Sequence, residues 1–180
     1  MTITLITGPM MAGKSTMLLM YEKRFKNSNK SYILINHSFD TRYSSVGKIA
    51  SHDGKFSSGD LYKCKNLKEL ENEISEVLNK VDCIIIDEIQ FFDDIYRFCL
   101  KWGNEKILIC AGLNSDWQMK EFPNMLSIVP LSDKIIHLTA ICECGDDASF
   151  SARITDEKED IVVGGADKYR PVCRKCFLLN

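Results

Sequence analysis

The stretch TITLITGPMMAGKST, residues 2–16, decides the fold. A short β-rich run, Thr2 to Thr7, stops at Gly8-Pro9, and Gly8-Pro9-Met10-Met11-Ala12-Gly13-Lys14-Ser15 matches G-x-x-x-x-G-K-[ST]. A helical pattern follows at once: Leu18, Leu19, Tyr21 and Phe25 fall near helical spacing in MLLMYEKRFKN, from Met17. Strand, glycine-containing loop and helix stand in the order that phosphate binding needs. Backbone N–H groups of the loop and of the helix N-terminus can then point at phosphate oxygens. Lys14 is expected to reach the β- and γ-phosphates and Ser15 to ligate Mg²⁺. The whole loop, Gly8 to Thr16, is therefore the expected triphosphate site.

Working outward, SYILINH (31–37) reads as a second strand and residues 38–60 as a long polar loop. NLKELENEISEVLNK (66–80) has helical period. VDCIIIDE (81–88) is a near-continuous apolar run ending in two acids, the pattern of a buried parallel strand. FFDDIYRFCLKWGN (91–104) reads as a helix closed by Gly103, and KILICAG (106–112) as another buried strand. LNSDWQMKEFPNM (113–125) is an aromatic-containing loop with room for one turn of helix, and KIIHLTA (134–140) reads as the last core strand. Alternating strands and helices imply an α/β layer fold with a mostly parallel sheet. From 141 the texture changes to cysteines, acids and a Gly-Gly pair. The expected domains are thus a P-loop α/β domain, 1–140, and a small lobe, 141–180.

Asp87 and Glu88 close an apolar strand, where an open α/β sheet places ligand-binding groups. Asp87 is expected to hold the Mg²⁺ shell, and Glu88 to take the proton from an attacking hydroxyl. These parts define a nucleoside triphosphate site and no more, because small-molecule kinases, ATPase motors and GTPases all use them. Composition narrows the field only a little. The chain has 180 residues, 45% of them hydrophobic and 27% charged, which excludes a disordered chain. A net charge of −2 argues against a strongly basic nucleic-acid binder, though not against a local basic groove. No stretch approaches the roughly 18 apolar residues of a membrane-spanning helix. The N-terminus lacks the basic region of a secretory signal, so a cytoplasmic, reducing location is expected.

Of eight cysteines, four are paired in sequence, Cys142-Glu143-Cys144 and Cys173-Arg174-Lys175-Cys176. Four thiolates suit a tetrahedral structural Zn²⁺, and a lobe of this size needs such a staple. Cys83 and Cys110 sit in apolar runs and read as small hydrophobes. Phe91, Phe92, Trp117, Phe122 and Tyr169 fit the walls of a pocket for a flat ring, although taken alone such aromatics are more usually core. Gly164-Gly165 is either a plain turn or a loop that approaches a ligand closely. Asp40, Arg42, His52 and Asp53 are either a solvated face or part of a site.

Taken together, GPMMAGKST (8–16), DTRYSS (40–45), DEIQFF (87–92), PLSDKIIHLTAIC (130–142), ASFSARI (148–154) and VVGGADKYRPVCRKC (162–176) resemble the type II, zinc-containing thymidine kinases over nearly the whole chain. The resemblance implies a RecA-like P-loop domain with a small zinc lobe. It implies transfer of phosphate from ATP to thymidine, with Mg²⁺ and with Glu88 as catalytic base. It maps Phe91, Leu113, Trp117 and Phe122 to the thymidine pocket, and Val162, Gly164 and Tyr169 to a loop that closes over the base. Asp40 and Arg42 match a segment near substrate and phosphates. It further implies a homotetramer inhibited by the triphosphate of thymidine. Deoxyuridine is a second expected acceptor; neither a membrane nor nucleic acid is an expected partner. The departures are Cys-x-Cys in place of Cys-x-x-Cys, Trp117 in a phenylalanine position, Met11-Ala12 in place of Phe-Ser or Phe-Ala, and Ile89 where glycine or alanine is usual. The rival reading is a P-loop ATPase with a zinc knuckle that acts on nucleic acid; its core would look the same.

Overall fold

The computed structural model describes residues 1–40, 49, 57–155, 157 and 164–179. Its first part alternates strand and helix: β1 (Thr2–Gly8), α1 (Lys14–Asn27), β2 (Tyr32–His37), β3 (Leu61–Cys64), α2 (Leu67–Glu73), α3 (Ser75–Lys80), β4 (Cys83–Ile86), α4 (Ile95–Trp102), β5 (Ile107–Leu113), α5 (Pro123–Ile128) and β6 (Lys134–His137). These six strands form one sheet in the order β3-β2-β4-β5-β1-β6, and every pairing is parallel. The remainder holds two short antiparallel ladders, β7 (Ala140–Ile141) with β8 (Asp147–Ala148) and β9 (Phe150–Arg153) with β10 (Tyr169–Val172), and a last helix, α6 (Arg174–Leu178).

Side-chain alternation along the strands makes two cores, one on each face of the sheet. Ile33 and Ile35, Ile84 and Ile86, Leu108 and Cys110 point to one face, against Leu67, Leu70 and Leu78 of α2 and α3, Ile95, Phe98 and Trp102 of α4, and Met125 and Ile128 of α5. Leu34, Ile85, Ile109 and Ala111 point to the other, against Leu18 and Phe25 of α1. The expected parallel α/β architecture is therefore present, with both faces covered, as parallel sheets require.

Several elements differ from the sequence expectation. The 66–80 helix is distorted at Ile74 (φ −116°, ψ 28°), yet Leu78 N still donates to Ile74 O at 2.9 Å, so the break is a local kink. The 91–104 helix begins later: Ile89–Phe91 is a 3₁₀ turn, and α4 starts at Ile95. The segment 134–140 is not a buried core strand. Only Lys134–His137 pairs with β1, at the sheet edge, and Ile135 is 48% exposed, because no described strand lies beyond it. β3 was not expected; its mixed residues carry no clean period. α5 is more than a turn and begins with Pro123, whose fixed φ suits the first helical position.

α2 and α4 are joined by a buried carboxylate. Glu71 accepts from Trp102 Nε1 at 2.7 Å, and pairs with Arg97 and with Lys101 Nζ at 3.1 Å. Burial alone would push its carboxyl up, but the donors on Arg97, Trp102 and Lys101 outweigh that and hold it below its ordinary 4.5. Its stabilisation is therefore present above pH 4.5 and lost as pH falls through the lower native value. Glu71→Ala should cost about 1–3 kcal/mol at neutral pH, since it strands the Trp102 N–H in the core. Urea unfolding at pH 7 and at acid pH should show the difference from wild type shrinking in acid.

Candidate active site and metal centre

Because all six strands run the same way, their C-terminal ends lie along one edge of the sheet. β1 and β4 both neighbour β5, so the loop leaving β1 and the acids leaving β4 meet around the end of β5. Gly8 lets the loop leave tightly: a Cβ there would meet Leu138 O at 2.4 Å. Gly13 has φ 85°, the left-handed region that glycine occupies without strain, and Met17 N donates to its carbonyl at 2.9 Å, so α1 starts there. The first turn of α1 contains Lys14 and Ser15 and no acid, which keeps its N-terminal N–H groups suited to an anion. Lys14 Nζ folds back over the loop, donating to Pro9 O at 2.6 Å and Gly8 O at 3.2 Å.

Ser15 Oγ lies 3.2 Å from Asp87 Oδ2, across 72 residues of chain. The two residues expected to share a cation are thus in contact, and one hydroxyl beside one carboxylate is a donor set that suits Mg²⁺. Asp87 Oδ1 in turn accepts from Glu88 N at 2.9 Å. Glu88 is buried, with φ 55° and ψ 41°. A glutamate in this left-handed conformation is strained by about 1–3 kcal/mol, a cost that clusters at functional sites. Gln90 holds it: Nε2 donates to Glu88 Oε2 at 2.6 Å while Oε1 accepts from Leu113 N at 3.1 Å. Asn124 Nδ2 donates to Gln90 O at 3.1 Å, so α5, β5 and the 3₁₀ turn all position the Glu88 carboxylate.

The expected aromatic set divides in three. Phe92 is fully buried and belongs to the core. Phe91 is half-buried, with ring centroids 6.5 Å from Phe122, 5.9 Å from Phe39 and 5.6 Å from His37. Trp117 and Tyr169 both meet Arg153, whose guanidinium carbon is 4.6 Å from the Trp117 ring centroid and 5.7 Å from the Tyr169 ring centroid. Asp40, near the end of β2, accepts from Asn36 Nδ2 at 2.9 Å, and Leu113 ends β5. Gly164 and Gly165 lead into the turn before β10, whose Tyr169 N is bonded to Gly165 O at 3.0 Å. Arg42 and Val162, with His52 and Asp53, lie outside the described residues. His37, Gln90, Ser151 and Arg153 were not picked out from sequence; for His37 and Gln90 the usable signal was position, at the end of one strand and just past the acids that end another.

His37 is almost wholly buried among Phe39, Phe91 and Phe92, and its Nδ1 accepts from Phe39 N at 3.1 Å. Burial holds its pKa below the ordinary 6.5, against the upward pull of a backbone bond with Lys65 and of the Asp93 and Glu88 charges; Lys65 itself pulls it down.

In the C-terminal lobe, the ligand atoms of Cys142, Cys144, Cys173 and Cys176 all lie within 4.8 Å of one another. Cys144 Sγ and Cys173 Sγ are 3.6 Å apart. Zn–S bonds of about 2.3 Å in a tetrahedron place sulfurs about 3.8 Å apart, so the four thiols fit such an ion. The short Cys-x-Cys pair converges through a tight turn, with Gly145 N bonded to Cys142 O at 2.8 Å and Gly145 at φ 93°. Backbone N–H groups of Cys144 and Cys173 pull the Cys142 thiol down to about 6. The neighbouring thiols of Cys144 and Cys173 push Cys176 up to about 12.

A phosphate loop and an acidic strand end joined on a parallel sheet define a P-loop α/β protein, here with a cysteine cluster that can hold a metal ion. The family model described as thymidine kinase matches residues 1–177, and the chain belongs to that family. It is 41% identical over 180 residues to a thymidine kinase of Sheeppox virus, covering 99% of this chain and 97% of that one. It is 42% identical over 184 residues to a thymidine kinase of Fowlpox virus, covering 99% and 98%. A thymidine kinase of Choristoneura fumiferana entomopoxvirus is 40% identical over 185 residues, covering 100% and 98%. Among solved structures, the flagellar accessory protein FlaH from Methanocaldococcus jannaschii shares the fold with TM-score 0.53 at 18% identity, over 81% of this chain and 74% of that one. No helix among the described residues is long and apolar enough to cross a membrane.

The depressed pKa of His37 has a measurable consequence. Below pH 6.5 the unfolded chain takes up a proton that the native ring refuses, so stability falls as pH drops from 6.5 toward the lower native value. Denaturant midpoints measured from pH 7.5 to 5 should decline in wild type, and decline less in His37→Phe.

Proposed function

We propose that the protein transfers the γ-phosphate of ATP to the 5′-hydroxyl of thymidine, with deoxyuridine as a second acceptor. The observation that carries this reading is the joining of the phosphate loop to the acidic strand end through Ser15 and Asp87, in a chain of the thymidine kinase family. Residues Gly8 to Thr16 enclose the triphosphate. Lys14 keeps the Pro9 carbonyl on one of its three N–H donors, which aims the ammonium, and reaches the β- and γ-phosphates with the others. Ser15 and Asp87 would hold Mg²⁺, which supplies charge neutralisation at the phosphate oxygens. Glu88 accepts the proton of the 5′-hydroxyl as its oxygen bonds to the γ-phosphorus and the bond to the β–γ bridging oxygen breaks. Gln90 orients that carboxylate by donating from Nε2 to Glu88 Oε2.

The nucleoside lies among Phe91, Leu113, Trp117, Phe122 and Tyr169, with Val162 and Gly164 closing from the lobe and Asp40 and Arg42 near the sugar and phosphates. Residues 1–140 form the ATP domain and 141–180 the closing lobe. Cys142, Cys144, Cys173 and Cys176 would hold Zn²⁺, which supplies the cross-link that a small lobe core lacks. Resemblance to the family supports a cytoplasmic homotetramer with feedback by the triphosphate of thymidine. The net charge of −2 is the reason nucleic acid is left out of the partners.

The test is a steady-state assay with Mg-ATP and thymidine, deoxyuridine, deoxycytidine, deoxyadenosine or deoxyguanosine, with single-stranded DNA in parallel. Phosphorylation of thymidine and deoxyuridine alone is expected; ATP hydrolysis stimulated by DNA, with no nucleotide formed, would show that a shared NTPase core has another acceptor. In the same assay Glu88→Gln should lower kcat by about 100-fold or more while nucleoside binding holds. Near-normal turnover would remove Glu88 from the base role. Metal analysis should find zinc in the purified protein, and chelation should raise the thymidine KM and speed hydrogen exchange in the C-terminal lobe. Active protein with intact cysteines and no zinc would overturn the metal assignment.

A further inference from the structure

The phosphate loop is gripped from outside by the C-terminal lobe. Met10 N donates to Ser151 Oγ at 2.9 Å, across 141 residues of chain, and both residues are buried, at 8% and 4% exposure. Two further contacts accompany this bond. Asn114 Nδ2 donates to Ser149 O at 3.0 Å while Asn114 N donates to Gly8 O at 3.4 Å. Ala12 packs against the lobe's own core, which includes Ala148, Ala152 and Cys142.

The N–H of Met10 and the C=O of Pro9 belong to one peptide unit, which is planar and here trans. In such a unit the two groups point in opposite directions. Fixing the N–H on Ser151 therefore aims the Pro9 carbonyl, and that carbonyl is the one that accepts from Lys14 Nζ at 2.6 Å. Ser151, one rigid plane and Lys14 form a continuous line from β9 to the cation of the phosphate site. We propose that Ser151 is a positioning residue for Lys14, so that the lobe presets the ATP site through a single hydroxyl.

The same face of β9 carries Arg153, two residues on, which contacts the rings of both Trp117 and Tyr169 and donates from Nη2 to the Tyr169 hydroxyl at 3.3 Å. One strand thus supports the phosphate loop and the aromatic pair assigned to the nucleoside. The inference rests on the assignment of Lys14 to ATP phosphate, and not on the identity of the acceptor.

The experiment is calorimetric binding of Mg-ATP without nucleoside to wild type, Ser151→Ala, Ser151→Cys and Ser151→Thr, with melting temperatures and thymidine phosphorylation measured on the same preparations. Ser151→Ala should bind ATP about tenfold more weakly, the scale of one buried hydrogen bond lost. Ser151→Thr, which keeps the hydroxyl, should return to within about twofold of wild type, and Ser151→Cys, a weaker acceptor, should fall between. Should the alanine variant not fold, the cysteine and threonine variants still order the affinities. Wild-type ATP affinity in Ser151→Ala or Ser151→Cys, with only the melting temperature lowered, would overturn the inference and leave the kinase reading intact. Weakened ATP binding in these variants, in a protein that phosphorylates no nucleoside, would uphold Ser151 and overturn the acceptor.

Discussion

Parallel pairing of β5 between β1 and β4 is the constraint on which the rest depends. Neither flanking strand holds a complete site. β1 delivers a loop that can surround phosphate, and β4 delivers two carboxylates. Only because both run parallel to β5, with their C-terminal ends on one edge, does Ser15 come to Asp87. An antiparallel β4 would put the acids on the opposite edge of the sheet. The same arrangement brings Leu113, at the end of β5, within reach of Gln90 and so ties the strand to the Glu88 support.

The site is held by polar groups that are themselves buried and bonded. Asp87, Glu88 and Gln90 are each under 10% exposed, and each is bonded to a neighbouring element or to the next residue. A left-handed glutamate persists only where its surroundings over-determine it. The Asp87 carboxylate on its N–H and the Gln90 amide on its carboxylate do so here. A strained but tethered carboxylate keeps one orientation before substrate arrives, which is what the proton transfer proposed for Glu88 requires. The 3₁₀ turn that delays α4 is the local consequence of that backbone.

The C-terminal lobe has a core made of small side chains, Ala140, Ala148, Ala152, Val172 and cysteines, with Phe150 and Phe177 partly buried against it. That is little apolar area for a lobe that must hold a shape. The lobe's contacts to Met10, Ala12 and Asn114 add to that thin core, and a metal ion held by the four convergent thiols would add a cross-link. The lobe in this sense braces the phosphate loop, and would serve the proposed ATP and nucleoside sites together.

Much of this was legible in the amino-acid order, because its signals are local. The phosphate loop is eight consecutive residues between a strand pattern and a helix pattern, the acids end an apolar run, and the cysteines come in close pairs. Their backbone geometry follows from near neighbours, so the α/β class, the loop, the Asp87–Glu88 end and the cysteine set could be read directly. What tertiary structure alone decided is everything set by partners distant in the chain. KIIH reads like a core strand, yet Ile135 is exposed, since burial depends on whether another strand lies alongside. The aromatics read as one set but divide among core, Phe91 with Phe122, and the Arg153 stack, because a ring's period does not say what it faces. Ser151 and Arg153 are ordinary strand residues by pattern. Their places against Met10 and Trp117 arise only when β9 docks on the phosphate loop, a contact across 141 residues that no local propensity encodes.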